Sequence, residues 1–203
     1  MAKKKQKTFS RILDEGSDRG MIPAKTGKAR AWYRKQGLEV KRKSPKKLMR
    51  ENRKNLKPTI KGRMMLGNMY LFEYGPKLKK KLPYYDEYPL VFPIKALSDG
   101  FLGINLHYLP HRLRARLMDS LYGLLRNDKM DESTRLRISY DILKSAARYK
   151  YFKPCVKRYL NENVKSRFLK VEPNEWDIAI FLPLERFQKA PEKTIWTESR
   201  KKV

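Results

Sequence analysis

The stretch from Met64 to Pro110 constrains the fold most, because aromatic and β-branched residues crowd there and Gly and Pro interrupt them at short intervals. It contains three apolar runs, Met69–Tyr74, Tyr88–Ile94 and Phe101–Tyr108. Turn residues separate the runs, such as Asp99-Gly100 before the third one. Short apolar runs bounded by turn signals are typical of β-strands, so this stretch predicts a small antiparallel sheet.

The third run alternates between two faces, one of which carries Leu102, Ile104, Leu106 and Tyr108. This period of two residues predicts a half-buried strand. Pro89 and Pro93 cannot donate hydrogen bonds to a neighbouring strand, so we expect the second run to be short, at a sheet edge or bulged. We expect the sheet to curl into an SH3-like or other partly open barrel.

Beyond Tyr108 the apolar period lengthens to three or four residues. It predicts an amphipathic helix after Pro110, with a stripe of Leu113, Leu117, Leu121 and Leu124. The arginines off that stripe are expected to face solvent: Arg112, Arg114, Arg116 and Arg126. Asp131–Lys150 predicts a second helix, capped by Asp131 or Ser133. Because the linker is short, the two helices are expected to pack antiparallel. An antiparallel sheet packed with this helix pair makes the predicted fold class α+β.

The chain after the second helix is less regular. Cys155–Leu160 is expected to form one or two helical turns, and Phe168–Val171 is expected to be a strand that joins the sheet. Pro173–Phe181 is expected to form a short helix. In residues 188–203, Ile195-Trp196 forms an apolar anchor, and such an anchor docks onto the parent domain or onto a neighbouring subunit.

Residues 1–63 carry 22 Lys and Arg against five acidic residues, a net charge of +17. Two short helices are expected in them, Lys28–Gln36 and Pro45–Leu56. We interpret the segment as a basic, partly disordered arm, which is either simply solvated or folds along a phosphate backbone. The predicted organisation is therefore the arm (1–63), an α+β core domain (64–187) and a polar tail (188–203).

The charge of the whole chain indicates a polyanionic partner. Lys and Arg total 49 against 21 acidic residues, a formal net charge of +28, and nucleic acid is the expected partner. A membrane is not expected, because we find no lipidation motif, no apolar run long enough to span a bilayer and no signal-peptide core. The single Cys155 forbids an intramolecular disulfide and fits a reducing compartment.

Nucleic-acid-binding residues are expected where lysines cluster or lie beside tyrosines. Pro76–Leu82 is predicted to be a basic hairpin tip whose lysines follow phosphates while Tyr84 and Tyr85 stack on bases. The alternative is that Tyr84, Tyr85 and Tyr88 are packing residues. The candidate residues are Lys3, Lys4, Lys5, Lys7, Lys41, Arg42, Lys43, Lys46, Lys47, Lys77, Lys79, Lys80, Lys81, Tyr84 and Tyr85.

Catalytic and metal-binding patterns are poor. Pro110 separates His107 from His111, which argues against one helix face carrying both, and with one cysteine they are too few for a zinc site. The adjacent carboxylates of Asp86 and Glu87 would point to opposite faces of a strand and would not share a metal ion. No phosphate-binding loop, nucleophile elbow or dinucleotide-binding glycine pattern occurs. We therefore expect no enzymatic activity, no metal and no cofactor.

Three segments in the centre of the chain carry a resemblance to known proteins: MYLFEYGPK, LPYYDEYPLVFPI and GFLGINLHYLPHRLRARLMDSLY. They resemble proteins of large contractile-tailed bacteriophages, either virion structural proteins or DNA end protectors of the head-completion group. The resemblance implies a protein that binds DNA ends or sits with packaged DNA at the head vertex. It also implies that the protein shields those ends from host nuclease and completes the head for tail attachment. It transfers no functional residue to this sequence.

Three functions remain as alternatives. The first is sequence-nonspecific DNA binding by a non-enzymatic virion protein, with other virion proteins as further partners and the host cytoplasm as its location during assembly. The second is an RNA- or ribosome-associated role, because long basic arms on a small α+β body also suit folded RNA. The third is a purely structural head or tail subunit whose charge only neutralises adjacent DNA.

Overall fold

The computed structural model describes residues 8–20, 28–29, 66–125, 131–171, 176 and 185–201, and their fold is α+β, as predicted. The helices in this part are α1 (Phe9–Asp18), α2 (His111–Leu125), α3 (Glu132–Ala146) and α4 (Glu192–Lys201). The strands are β1 (Met69–Leu71), β2 (Tyr85–Asp86), β3 (Leu90–Ala96), β4 (Gly100–Asn105), β5 (Val156–Leu160), β6 (Leu169–Val171) and β7 (Phe187–Gln188). Short 3-10 turns cover Leu106–Tyr108, Lys153–Cys155 and Asn161–Asn163.

A five-stranded antiparallel sheet in the order β5-β4-β3-β1-β6 carries the core, and β2 pairs with β7 in a separate ribbon. The predicted antiparallel sheet is confirmed, and its closure into a partly open barrel stays a prediction. The second apolar run is the central strand β3, so an edge position is wrong. The predicted bulge is confirmed between Pro93 and Lys95, where the missing N–H of Pro93 coincides with a shift in pairing to β4.

The third apolar run differs from the prediction in length and in burial. Strand β4 ends at Asn105, and the following three residues form a 3-10 turn. Phe101 and Ile104 belong to opposite faces of the strand, yet both are buried. Phe101 stacks on Tyr159 of β5, with ring centroids 5.1 Å apart. The half-buried pattern is therefore wrong, because side chains pack on both faces of β4.

Two glycines allow β4 to lie close to its neighbours. A Cβ at Gly103 would overlap the side chain of Val91 in β3, and a Cβ at Gly100 would overlap the backbone oxygen of Tyr159 in β5. A residue without Cβ is the one that fits either position without moving a paired strand.

Helix α2 follows Pro110 and buries the predicted leucine stripe. Leu117 and Leu121 are buried and Leu113 is half-buried, which confirms the face predicted from their spacing. The side chain of Leu124 lies outside the described part of the structure. Helix α2 contacts both α1 and α3.

The arginines of α2 divide into two groups. Arg112 and Arg116 are exposed, as predicted, and Arg126 lies outside the described residues. Arg114 is fully buried, so the expectation of a solvated side chain is wrong for it. An ion pair with the buried Glu185 explains this, because a desolvated charge needs a partner of opposite sign.

Helix α3 starts at the predicted cap. The Asp131 side chain accepts a hydrogen bond from the backbone N–H of Thr134 at 2.9 Å. Leu143, on the predicted stripe, is fully buried. Helix α3 contacts both α2 and β3, and its antiparallel arrangement with α2 stays a prediction.

Part of the predicted arm belongs to the packed fold. Helix α1 buries Ile12 and Leu13 in the core, and the Ser10 hydroxyl donates to the Asp119 carboxylate of α2 at 2.5 Å. Sequence reasoning missed this helix. The predicted helix Lys28–Gln36 lies outside the described residues except for its first two positions, and the helix predicted over residues 45–56 lies wholly outside them.

The C-terminal third contains one wrong prediction and one confirmed one. The predicted helical turns of Cys155–Leu160 are instead the end of a 3-10 turn and the strand β5, because the backbone of this segment pairs with β4. Phe168–Val171 contains β6, which joins the sheet at β1, as predicted. The helix predicted over residues 173–181 lies outside the described residues apart from Trp176, which is buried.

Candidate nucleic-acid interface

The lysines of the predicted hairpin tip lie on a tight helical turn of residues 77–82, here called the basic turn. The backbone N–H groups of Lys81 and Leu82 both donate to the carbonyl of Leu78, at 2.9 and 3.0 Å. The strands on either side, β1 and β2, belong to different sheets, so the prediction of a hairpin is wrong. The lysine side chains of the turn are exposed: Lys77, Lys79, Lys80 and Lys81.

Lys189 fastens the basic turn to the C-terminal part of the chain. Its Nζ donates to the backbone carbonyls of Lys79, Lys80 and Leu82, at 2.5, 3.0 and 2.7 Å. Its backbone adopts the left-handed conformation, with φ of 73°, which is uncommon for a residue other than glycine. The clamp gives hydrogen-bond partners to three carbonyls of the turn, so the turn presents its own lysines from a fixed backbone.

The candidate tyrosines lie near the base of the basic turn. Tyr85 belongs to β2, and its ring centroid is 5.8 Å from Nζ of Lys79. Tyr84 is half-buried, with its ring 6.3 Å from that of Tyr108. Tyr88 is buried, as the packing interpretation expects. Contact of Tyr84 and Tyr85 with nucleic acid stays a prediction.

The basic candidates of the arm lie outside the described residues, so the structure does not bring them together with the basic turn. They are Lys3, Lys4, Lys5, Lys7, Lys41, Arg42, Lys43, Lys46 and Lys47. Their part in an interface stays a prediction.

A buried polar cluster surrounds Asp86, where the ribbon strand β2 meets the end of β4. Oδ2 of Asp86 lies 2.7 Å from Nδ1 of His107 and accepts from Nδ2 of Asn105 at 3.0 Å. The Asn105 amide also donates to the Tyr159 hydroxyl at 3.1 Å. Burial, with a further contribution from the charge of Asp86, raises the pKa of Tyr159 well above its ordinary value.

This cluster contains the residue types of an acid–base catalytic site, but a substrate cannot reach them. A histidine oriented by a carboxylate can act as a general base when a substrate reaches it. Here the side chains of His107 and Asp86 are 0% and 2% exposed. The neighbouring carboxylate of Glu87 accepts from Nε2 of Gln188 at 3.0 Å, so the two adjacent carboxylates have separate partners. We interpret the cluster as a hydrogen-bond network that supports the fold.

A second buried group joins α2 to the C-terminal segment. Nη1 of Arg114 lies 2.5 Å from Oε1 of Glu185, and its Nε and Nη2 donate to the carbonyl of Leu109 at 3.2 and 3.0 Å. Burial acts to raise the pKa of Glu185, but the opposite charge of Arg114, followed by His107 and His111, outweighs it. The pKa of Glu185 is therefore lowered from 4.5 to about 2.

Helix α4 docks onto the same region through the predicted apolar anchor. Ile195 is fully buried, and the indole Nε1 of Trp196 donates to the backbone carbonyl of His107 at 2.9 Å. The anchor therefore docks onto its own domain, which was one of the two sites expected for it.

Sequence reasoning missed a turn of alternating aromatic and basic residues after α3, residues 147–153, here called the tyrosine turn. Its side chains Tyr149 and Tyr151 are 65% and 62% exposed. The backbone N–H groups of Phe152 and Lys153 both donate to the carbonyl of Tyr149, at 2.9 and 3.0 Å. The signal was present in the sequence as RYKYFK, but a helix prediction running to residue 150 concealed it.

Within the described part of the chain, no three His, Cys, Asp or Glu side chains come together as ligands for a metal ion. The helices described there are also too short or too polar to cross a bilayer.

A protein-family model matches residues 2–199 of the 203-residue chain, and the family is described as phage T4 terminal DNA protecting protein. The chain belongs to this family. The match to the terminal DNA protecting family thus confirms the resemblance seen in the central segments. It also extends that resemblance over the predicted arm, the core and most of the tail. Neither the curated proteins nor the solved structures give a match to the chain.

Proposed function

We propose that this protein binds duplex DNA through its phosphates, without reading sequence, and shields DNA ends without catalysing a reaction. Membership of the terminal DNA protecting family supports the protection of ends. The net charge of +28 supports a polyanionic partner. DNA is favoured over RNA because the family's description refers to DNA.

The observation that carries the proposal is the basic turn. Four exposed lysines project from a backbone that Lys189 holds through three hydrogen bonds. Lysine ammonium groups bind phosphates as point charges, and phosphate contacts position a protein on a duplex without conveying base sequence. A fixed cluster of such groups is therefore suited to binding any DNA sequence.

We extend the proposal to the basic candidates of the arm, which would add phosphate contacts along the duplex away from the basic turn. We also propose that the protein stays with packaged DNA in the virion and completes the head, after acting in the host cytoplasm during assembly. Mass spectrometry of purified virions would detect the protein at a constant copy number per particle. Its absence from complete virions would contradict the virion role.

The experiment that tests end protection is digestion of a linear duplex by a processive double-strand exonuclease. Wild-type protein should slow digestion at concentrations that saturate the ends, and DNA should stay intact when the nuclease is omitted. A variant of the basic turn, with Lys77, Lys79, Lys80 and Lys81 each changed to Gln, should require markedly higher concentrations for the same protection.

The matched control removes the same charge elsewhere on the exposed surface, by changing Lys95, Arg116, Lys170 and Lys193 to Gln. We expect this control to protect like the wild type. Equal protection by both variants would contradict a phosphate site at the basic turn. Failure of the wild-type protein to protect any linear duplex would contradict the function itself.

A further inference from the structure

We infer that the tyrosine turn stacks on the terminal base pair of duplex DNA and so gives the protein its preference for ends, an inference that rests on the proposed function. Tyr149 and Tyr151, with Leu78, are the large apolar side chains most exposed to solvent in the described residues. With 65% and 62% of their surface exposed, these two tyrosines, two residues apart, leave aromatic surface where a ligand can cover it.

The tyrosine turn is fixed by its backbone and its neighbours. Besides the two hydrogen bonds to the carbonyl of Tyr149, the N–H of Tyr149 donates to the carbonyl of Ala146 at 3.0 Å, which continues α3 into the turn. On the other side Phe152 is half-buried, and Pro154 and Cys155 are buried in a 3-10 turn. Because the backbone is already ordered, stacking on the rings requires little additional loss of conformational entropy.

The charge around the turn is complementary to DNA. Between Asp141 and Glu162 the chain has no acidic residue and six basic ones. Of these, Arg148, Lys150 and Lys153 lie on the tyrosine turn and are exposed. A duplex end presents a flat base pair with a phosphate strand on each side, so rings flanked by cations match both of its chemical features.

Stacking of the tyrosines on the terminal base pair would give the protein a preference for DNA ends. Phosphate contacts alone cannot give this preference. Every interior base pair is covered on both faces by its neighbours, whereas the terminal pair exposes one face. Every base has such a face, so stacking on it is tolerant of sequence. The basic turn, by contrast, binds phosphates that are the same at an end and in the interior. A protein stacked on the terminal pair occupies the position that an exonuclease has to enter.

The test compares two DNAs of identical duplex sequence, a hairpin with one blunt end and a dumbbell closed at both ends. Both DNAs carry 2-aminopurine in the same pair, which is the terminal pair of the hairpin. Wild-type protein should bind the hairpin more tightly than the dumbbell. The variant with Tyr149→Ala and Tyr151→Ala should lose at least about fivefold of that preference while keeping its dumbbell affinity. The matched control, Tyr149→Phe and Tyr151→Phe, keeps the aromatic rings and should keep the preference.

The fluorescence of the terminal 2-aminopurine should change when wild-type protein or the Phe variant binds and should stay unchanged with the Ala variant. An Ala variant that retains the full preference overturns the inference and leaves DNA binding intact, as it would if the tyrosines contact another protein. A wild-type protein that binds both DNAs equally overturns the inference together with end recognition. Weaker dumbbell binding by the basic-turn variant, with dumbbell binding kept in the Ala variant, supports separate roles for the two turns.

Discussion

Glu185 neutralises a guanidinium that the fold encloses completely, since the Arg114 and Glu185 side chains are 0% and 2% exposed. Changing Glu185 to Gln leaves Arg114 charged, buried and without its carboxylate, which should destabilise the protein at pH 7 by about 3–5 kcal/mol. Denaturant unfolding followed by circular dichroism measures this difference. Glu162→Gln, at an exposed position, is the matched control and should change stability by less than about 0.5 kcal/mol.

The same pair makes stability depend on pH in a defined direction. The pKa of Glu185 falls from 4.5 to about 2 on folding. Its ionised form therefore stabilises the fold fully above pH 4.5, and this contribution, about 3 kcal/mol, is lost as the pH falls towards 2. The stability gap between wild type and Glu185→Gln should narrow on acidification from pH 6 to pH 3. A gap that stays constant over this range would show that folding does not shift the pKa of Glu185, and a gap that widens would show that Glu185 is protonated in the fold.

The burial of Arg114 beside Glu185 is a feature that could not be predicted from the sequence. The leucine spacing of α2 placed Leu117 and Leu121 correctly, because helical periodicity is a local property. Arg114 lies off that stripe, and its burial depends on a carboxylate from a distant segment that no local pattern connects to it. The lysines of the basic turn are exposed, which is the default for clustered lysines, and their binding to phosphates stays a prediction.

At the scale of elements, the glycines of β4 determine how closely three strands approach. Gly103→Ala should destabilise the protein by about 1–3 kcal/mol, because its Cβ would overlap the buried side chain of Val91 in the neighbouring strand. Gly75→Ala is the matched control, since the atoms nearest to a Cβ there are the flexible ends of Lys79 and Lys165, at 3.3 Å. Thermal unfolding of both variants makes the comparison. An equal loss of stability in both variants would mean that the close approach to Val91 does not determine the effect.

Helices and strands with a strong local sequence pattern could be predicted. Strands whose conformation depends on pairing with a distant strand could not. The apolar runs located β1, β3, β4 and β6, and the cap at Asp131 located the start of α3. Strand β5 carries Lys157 and Arg158 and follows a buried 3-10 turn, so its strand conformation comes from pairing with β4 rather than from alternation. The ribbon of β2 and β7 is two residues long on each side, too short to leave a periodic signal.

At the scale of the whole molecule, the proposed DNA binding leads to the question of which basic segments contact DNA phosphates. The folded helix α1 lies within the predicted arm and buries Ile12 and Leu13, so deleting residues 1–63 would remove part of the core together with the charge. Substitution to Gln separates the two effects. The three groups to compare are Lys3, Lys4, Lys5 and Lys7; Lys41, Arg42, Lys43, Lys46 and Lys47; and Lys77, Lys79, Lys80 and Lys81.

For each group, the affinity for one closed dumbbell duplex is measured from low to moderate salt. Every phosphate contact that a substitution removes should make the slope of log affinity against log salt shallower by about 0.9, because fewer counterions are released on binding. A solvated segment contributes long-range attraction that salt screens, yet its loss leaves the slope nearly unchanged. We expect a shallower slope for the basic turn and for the arm groups, and no change in slope for the surface control in which Lys95, Arg116, Lys170 and Lys193 are changed to Gln. An unchanged slope in both arm groups would assign phosphate binding to the folded body and the arm to solvent.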